Sequence, residues 1–202
     1  MLIIKSKYRI ARRLGAGVFD QTQTQKFALR QAQRTEKRTR NRGGSDYGRQ
    51  LIEKQKVRFT YGLSEKHLSN YAEAAFATKH PPTTLHRALE MRADNVLYRA
   101  GFAPTRRAGR QAVSHGHVLV NGKRITSPSY ATKVGDVLTI REGSRKSPLF
   151  AGLSDKNQEG QNAPQWLEAD PAALTIKVTA EPSYAPSEIG LDYPTVFEFY
   201  SR

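Results

Sequence analysis

The sequence predicts an α+β fold in which helices precede a small antiparallel sheet and a basic arm leads the chain. Three observations carry this reading. Residues 46–100 repeat apolar side chains at helical spacing. Residues 118–140 switch to short apolar runs separated by Asn121-Gly122 and Gly135-Asp136, the residue pairs that turns favour. Residues 1–44 are basic and lack sustained apolar periodicity, with only a weak stripe of Ile10, Leu14 and Val18 interrupted by Gly15 and Gly17.

Taken in order, the arm of residues 1–44 is expected to be disordered alone and to order on a polyanion, because it offers little apolar surface against the entropy of folding. Helical structure begins near residue 46. Ser64 is placed to cap a helix, with Leu63 and Leu68 as a hydrophobic staple, and Leu68, Tyr71, Ala72, Ala75 and Phe76 form its stripe. That spacing assigns Tyr71 and Phe76 to the core. His80-Pro81-Pro82 ends the helix, since a residue before proline avoids helical angles. A second stripe runs Leu85, Ala88, Leu89, Ala93, Val96, Leu97 and Ala100, with Gly101 as its stop. Thr105 caps another helix through about Ser114, closed by His115-Gly116.

Val118–Val120 and Lys123–Ile125 form a hairpin about Asn121-Gly122, and Val137–Ile140 a further strand. Residues 143–165 are polar and form an excursion, which Trp166-Leu167 reattaches to the core. Leu174–Val178 alternates as a strand. Val196–Tyr200 fits strand or short helix equally by pattern.

The 202 residues suffice for one large domain or two small ones. A net charge of +15 points to an anionic partner bound through phosphate neutralisation. The charge is uneven: +12 over residues 1–60, +8 over 61–150 and −5 over 151–202. The acidic C-terminal part is therefore expected to face away from the polyanion. There is no cysteine, which removes disulfides and thiolate metal sites. No apolar run approaches membrane-span length, and the opening Met1–Ile4 is too short for a signal-peptide core, so the expectation is a cytoplasmic protein with no membrane partner.

Candidate contact residues cluster at Arg92, Arg99, Arg106, Arg107, Arg110, Lys123 and Arg124. Arg106 and Arg107 occupy a helix's first turn, where the dipole disfavours cations by up to about 1 kcal/mol. That placement makes sense if a phosphate sits there, met by guanidiniums and unpaired backbone N–H groups. Asp94, between Arg92 and Arg99, is read as an internal ion-pair partner. His115 and His117 lack a Cys or carboxylate to complete a metal site, leaving turn packing or an RNA contact. Gly15-x-Gly17 is not followed by a phosphate-loop Lys-Ser/Thr. No catalytic constellation, cofactor motif or metal set is visible.

Several stretches together resemble the bacterial small-subunit ribosomal protein four family. Ser45-Asp46-Tyr47-Gly48-Arg49-Gln50-Leu51-Ile52-Glu53-Lys54-Gln55-Lys56-Val57-Arg58 is similar to one motif of that family. Leu89-Glu90-x-Arg92-x-Asp94-Asn95-Val96-x-Tyr98-Arg99-x-Gly101-Phe102-Ala103 is similar to the opening of its RNA-binding module. Ser114–Arg124, Pro128-Ser129-Tyr130, Gly135-Asp136-Val137 and the closing Glu198–Arg202 resemble its central hairpin, later turns and terminus.

The resemblance implies a helical domain, residues 45–90 with 183–202, into which residues 91–182 are inserted as a module of helices on a small antiparallel sheet. It also makes the terminus helical. Its functional implication is a non-catalytic structural protein that binds small-subunit ribosomal RNA directly and nucleates assembly of its 5′ domain. Such a protein would lie near the path by which messenger RNA enters, beside neighbouring small-subunit proteins, and influence accuracy. The further contact candidates are Tyr47, Arg49, Lys54, Lys56 and Arg58, then His117, with Arg38, Arg40 and Arg42 as a phosphate-seeking strip on the arm. Many members hold zinc on four N-terminal cysteines; this chain resembles the zinc-free forms. The family's customary Glu is here Ala108, followed by Gly109, a residue that weakens a helix by roughly 1 kcal/mol. The rival readings are an RNA-modifying enzyme using the same module, for which no segment large enough for a catalytic domain remains, and a stand-alone RNA-binding stress factor, against which the flanking motifs argue.

Overall fold

A computed structural model describes residues 4–36, 45–151 and 163–201. The chain divides into two compact units, Met1–Leu85 with Tyr184–Arg202, and His86–Ser183.

In the first unit, α1 (Lys7–Leu14) ends at Gly15, whose φ of 109° no helix accommodates. Two 3-10 turns follow, Ala16–Val18 and Asp20–Thr22, and then α2 (Gln25–Glu36). The buried Thr22 hydroxyl ties the turns together by donating to the carbonyls of Ala16 and Phe19, at 2.7 and 2.8 Å. Ala11, Leu14 and Val18 are buried, and Phe19 meets the ring of Phe59 on α3 (Asp46–Thr60) edge-on at 6.3 Å. The expectation of an arm without structure of its own is thus corrected for residues 4–36. Its apolar residues are few, but the turns after Gly15 gather them onto one side.

Side-chain caps open the next two helices, that of Ser64 as predicted and that of Ser45 in addition. Ser45 Oγ accepts from the Gly48 N–H at the start of α3, and Ser64 Oγ accepts from the His67 N–H at the start of α4 (Glu65–Phe76). Leu63 and Leu68 are both buried at that start, as a staple requires. Phe76 departs from the core assignment: it is 43% exposed, resting edge-on against Phe197 at 4.7 Å, and Tyr71 is half-buried. After α5 (Pro81–Glu90), the unit is completed by α10 (Pro186–Ile189) and α11 (Tyr193–Tyr200). The ambiguous terminus is therefore helical, capped by Asp192, which accepts from both the N–H and the hydroxyl of Thr195. Helix α11 packs on α3 through a Tyr61–Tyr193 hydroxyl pair at 3.2 Å and a bond from Gln50 Nε2 to Glu198 at 3.0 Å.

The second unit begins within α5. The apolar stripe from Leu85 to Ala100 is broken in two, because Arg92 leaves helical geometry (φ −72°, ψ 138°) before α6 (Ala93–Arg99). The loop around Pro128–Thr132 takes over the hydrogen bonds released there. Ala93 N–H donates to the Tyr130 carbonyl, Asp94 N–H to that of Pro128, and the Thr132 hydroxyl to that of Met91. Arg92 also forms an antiparallel bridge with Ala131. Helix α7 (Arg106–Ser114) carries the expected Thr105 cap, at 3.1 Å from the Ala108 N–H.

Five antiparallel strands follow: β1 (Val118–Val120), β2 (Lys123–Ile125), β3 (Val137–Ile140), β4 (Leu167–Asp170) and β5 (Thr175–Val178), in the order β2-β1-β3-β5-β4. Asn121 and Gly122 adopt φ of 49° and 79°, the pair of positive angles that a type I′ turn demands. Leu174, read as the first residue of a strand, instead turns at φ 54°. Two features were not foreseen. One is edge strand β4. The other is the pair of short helices α8 (Glu142–Arg145) and α9 (Pro148–Ala151) within the polar excursion, which buries Phe150. The core combines Val96, Leu97, Phe102 and Val113 of the helical segments with Val118, Leu138, Ile140 and Ile176 of the sheet, and Trp166 joins it as expected.

Candidate nucleic-acid interface

In the second unit, α5, α6 and α7 carry a buried polar cluster centred on Glu90. Its carboxylate is 1% exposed as a residue and accepts a bidentate pair from Arg99, Nε at 2.7 Å and Nη2 at 2.8 Å. The Asn95 amide donates to the Glu90 carboxylate at 2.8 Å and to its backbone carbonyl at 3.1 Å. The Asn95 carbonyl oxygen accepts in turn from Arg106 Nε at 2.8 Å. The Arg106 guanidinium lies 4.4 Å from the ring centroid of Tyr98, a cation–π distance. Beside this cluster Arg92, 3% exposed, forms a bidentate pair with Asp94 at 3.0 and 2.7 Å, the internal partner that the sequence suggested.

The predicted cations therefore divide into two sets. Arg92, Arg99 and Arg106 are wholly or partly engaged inside the fold: bidentate pairs fix the planes of Arg92 and Arg99, and Asn95 with the Tyr98 ring holds Arg106. Arg107, Lys123 and Arg124 are exposed, and Arg110 is half-buried. Arg107, Arg110 and Ser114 follow one another at i, i+3 and i+7 along one face of α7. The hairpin continues that face. Arg124 donates to the His115 carbonyl at 3.3 Å, and its guanidinium lies so close over Gly116 that a Cβ there would collide with it. Glu90 and Asp94 are thus held inward, while Arg107, Lys123 and Arg124 stay outward.

His117 has a packing role that its sequence position alone left open. Its Nδ1 shares a hydrogen bond with Ser144 Oγ at 2.9 Å, and its ring meets Phe150 edge-on at 5.9 Å. Burial, then the neighbouring His115, Arg141 and Arg124, lower its pKa below the usual value.

In the first unit, Lys54 is buried and bound to Glu65 at 2.7 Å, with its ammonium 4.1 Å from the Phe199 ring centroid. Tyr200 donates its hydroxyl to the same Glu65, and its pKa is raised by burial and by that carboxylate. Lys56 pairs with Glu53. Arg58 donates to the Leu63 carbonyl and to Gln55 and lies 3.8 Å from Glu65. Arg49 and Tyr47 are exposed, Tyr47 with its ring 5.7 Å from that of Phe199. Arg38, Arg40 and Arg42 lie outside the described residues.

Residues 91–138 match the S4 domain family, and residues 3–91 match the Ribosomal protein S4/S9 N-terminal domain family. Small ribosomal subunit protein uS4 of Roseiflexus sp. (strain RS-1) is 40% identical over 200 residues, covering 96% of each chain. The protein of the same name from Borrelia turicatae (strain 91E135) is 36% identical over 201 residues, 98% of this chain and 96% of its own. The chain belongs to the uS4 family of small ribosomal subunit proteins. That family consists of ribosomal proteins rather than enzymes, and this cysteine-less member lacks the residues of a thiolate zinc clamp.

Against the uS4 background, the residues that sequence reasoning missed are Glu90, Asn95 and Tyr98, which hold Arg99 and Arg106, and Ser144, which holds His117. Glu90 and Asn95 did leave a signal, since both are polar residues set among buried apolar ones from Leu89 to Leu97. Tyr98 stood in the family motif without a role, and Ser144 left no signal, because each acts through a partner that only the tertiary fold brings near.

Proposed function

We propose that this member of the uS4 family is a structural constituent of the small ribosomal subunit, working in the cytoplasm and binding small-subunit ribosomal RNA directly. The outward cations of α7 and the β1–β2 hairpin form its main RNA-facing surface. One observation carries the reading. Glu90 and Asp94 are buried in bidentate pairs, and Asp136 beside the hairpin is held by the Asn121 amide and the Lys133 N–H, which leaves Arg107, Lys123 and Arg124 with no carboxylate partner among the described residues. Rigid helices presenting guanidiniums suit recognition by shape and phosphate, the mode by which structured RNA is mostly read. Arg99 and Arg106 contribute as oriented second members of the same face, and Arg49 and Tyr47 are separate contact candidates on the other unit.

The finer assignments rest on family resemblance. They are nucleation of the 5′ domain of the ribosomal RNA, a position near the path by which messenger RNA enters beside neighbouring small-subunit proteins, and an influence on decoding accuracy. The test replaces Arg107 and Arg110 together by Gln and measures affinity for small-subunit ribosomal RNA against salt. Losing two phosphate contacts should make the slope of log K against log salt shallower by roughly 1.4–1.8, with the circular dichroism spectrum unchanged. An unaltered slope would reduce these residues to a solvated helix face.

A further inference from the structure

Between α1 and α3 of the first unit lies a groove of about 410 Å³. Its floor is apolar, built from Leu14, Leu51, Ile52 and Phe59. Its rim is cationic: Arg9 and Arg13, one turn apart on α1 and both exposed, face Arg58 across it. The lining contains no Asp or Glu, although Glu65, outside the lining, lies 3.8 Å from Arg58. Among the described residues neither Arg9 nor Arg13 meets a carboxylate. The Arg58 guanidinium sits 5.5 Å from the Phe59 ring centroid, a cation–π distance between two residues of the groove lining. Gln55 adds a single amide at the floor, its carbonyl oxygen accepting from Arg58 at 3.3 Å.

An apolar slot of a few hundred Å³ with a small number of polar groups has the size and make-up of a small-ligand site. Here the rim demands an anion and the floor demands a flat apolar body. We infer that this groove receives one unstacked nucleotide of single-stranded RNA, its base in the slot over Leu51, Ile52 and Phe59 and its flanking phosphates on Arg9 and Arg13. Single-stranded RNA is bound in this way, with bases splayed onto aromatic and guanidinium planes and phosphates on cations. The Gln55 amide gives the slot one hydrogen-bonding group for a base edge, so some preference among bases follows. The inference rests on the RNA-binding reading above but concerns a separate place from its main surface on α7 and the hairpin, sharing only Arg58 with the contact candidates the sequence offered.

Two variants of the full chain and one comparator test it, with small-subunit ribosomal RNA as the probe. Gln55→Glu keeps the side-chain volume and the acceptor for Arg58 while placing negative charge in the slot. Arg9→Gln with Arg13→Gln removes the rim. Arg107→Gln with Arg110→Gln reports on the surface of the other unit. Ultraviolet crosslinking followed by mass spectrometry should place a single-nucleotide adduct on the peptide carrying Phe59. Both groove variants should lose that adduct and weaken binding on the order of tenfold, the scale of one stacked base, at unchanged thermal unfolding. If the groove variants bind normally and keep the same crosslinks while the comparator binds weakly, the groove inference fails and the RNA-binding reading stands. If all three variants bind as the parent does, that reading fails with it. In assembled small subunits carrying this chain, a crosslink from the groove to another ribosomal protein in place of RNA would assign it to a protein segment and overturn the nucleotide.

Discussion

At Gly109 two physical demands oppose each other. Helix propensity favours Ala there by about 1 kcal/mol. Space forbids it, because a Cβ would press into the Asp94 backbone carbonyl of α6 and touch Ala103. The glycine is what lets α7 lie close against α6, so Gly109→Ala should destabilise the protein by about 1–3 kcal/mol, as overpacking does. Urea denaturation checks this, and a stabilised variant would show that the helices separate without cost. Glu90 makes a second single-residue case. Glu90→Gln removes the charge that holds Arg99, and breaking such a pair costs on the order of 2–3 kcal/mol once the one-third exposure of Arg99 is allowed for. His86 gives the pH dependence. Burial lowers its pKa below 6.5, opposed by Glu90 and assisted by Arg99. The folded state therefore binds fewer protons than the unfolded one as pH falls below about 6.5, and stability present above that pH is lost on acidification. Denaturation midpoints across that range should fall in the parent and fall less in His86→Gln.

Helix α1 is short, yet it is held by Ala11 and Leu14, both buried, and the turns beyond it bury Val18 and Thr22. Leu14→Ala should cost about 2–3 kcal/mol, the lower range for a buried leucine. It should also release amide protection across Lys7–Leu14 while leaving α6 and α7 protected. Equal protection in parent and variant would mean that α1 is held by something other than this contact. The helical unit and the hairpin were readable in the sequence because their signals are local. Ser64 and Thr105 cap within three residues, and Asn121-Gly122 sets its own turn. What was hidden depends on distant partners. The apolar stripe from Leu85 to Ala100 gives no sign of the break at Arg92, which the loop around Pro128–Thr132 induces. Edge strand β4, Leu-Glu-Ala-Asp, lacks the β-branched residues that mark strands, and it exists because β5 pairs with it. The candidate site was half legible for the same reason. Clustered cations could be counted, but Arg99 meets Glu90 nine residues away and Lys54 meets Glu65 eleven away, so which of them face inward was decided by folding.

Over the whole chain the charge is graded from strongly basic to acidic, and the basic part holds its carboxylates close. Arg99–Glu90 and Arg92–Asp94 bury their carboxylates, whereas Glu65 of the Lys54 pair stays 44% exposed, so it is the two buried acids that do least to offset the field outside. RNA association should accordingly be fast at low salt and fall steeply as salt rises. Metal should have no part in it. The family's zinc-bearing members clamp the N-terminal segment on four cysteines, and here there are none. The same segment is held by apolar packing instead: Ala11, Leu14 and Val18 buried, Phe19 against Phe59, and Tyr8 tilted against Phe27 at 6.1 Å. Among the described residues no group of three His, Cys, Asp or Glu side chains stands close enough to hold an ion. Affinity for small-subunit ribosomal RNA, measured in the same salt with and without a chelator that strips zinc, should therefore be equal, as should the thermal unfolding midpoint of the protein alone. A chelator-dependent fall in the midpoint would show that a metal organises the N-terminal segment, and the apolar account of its folding would have to be abandoned.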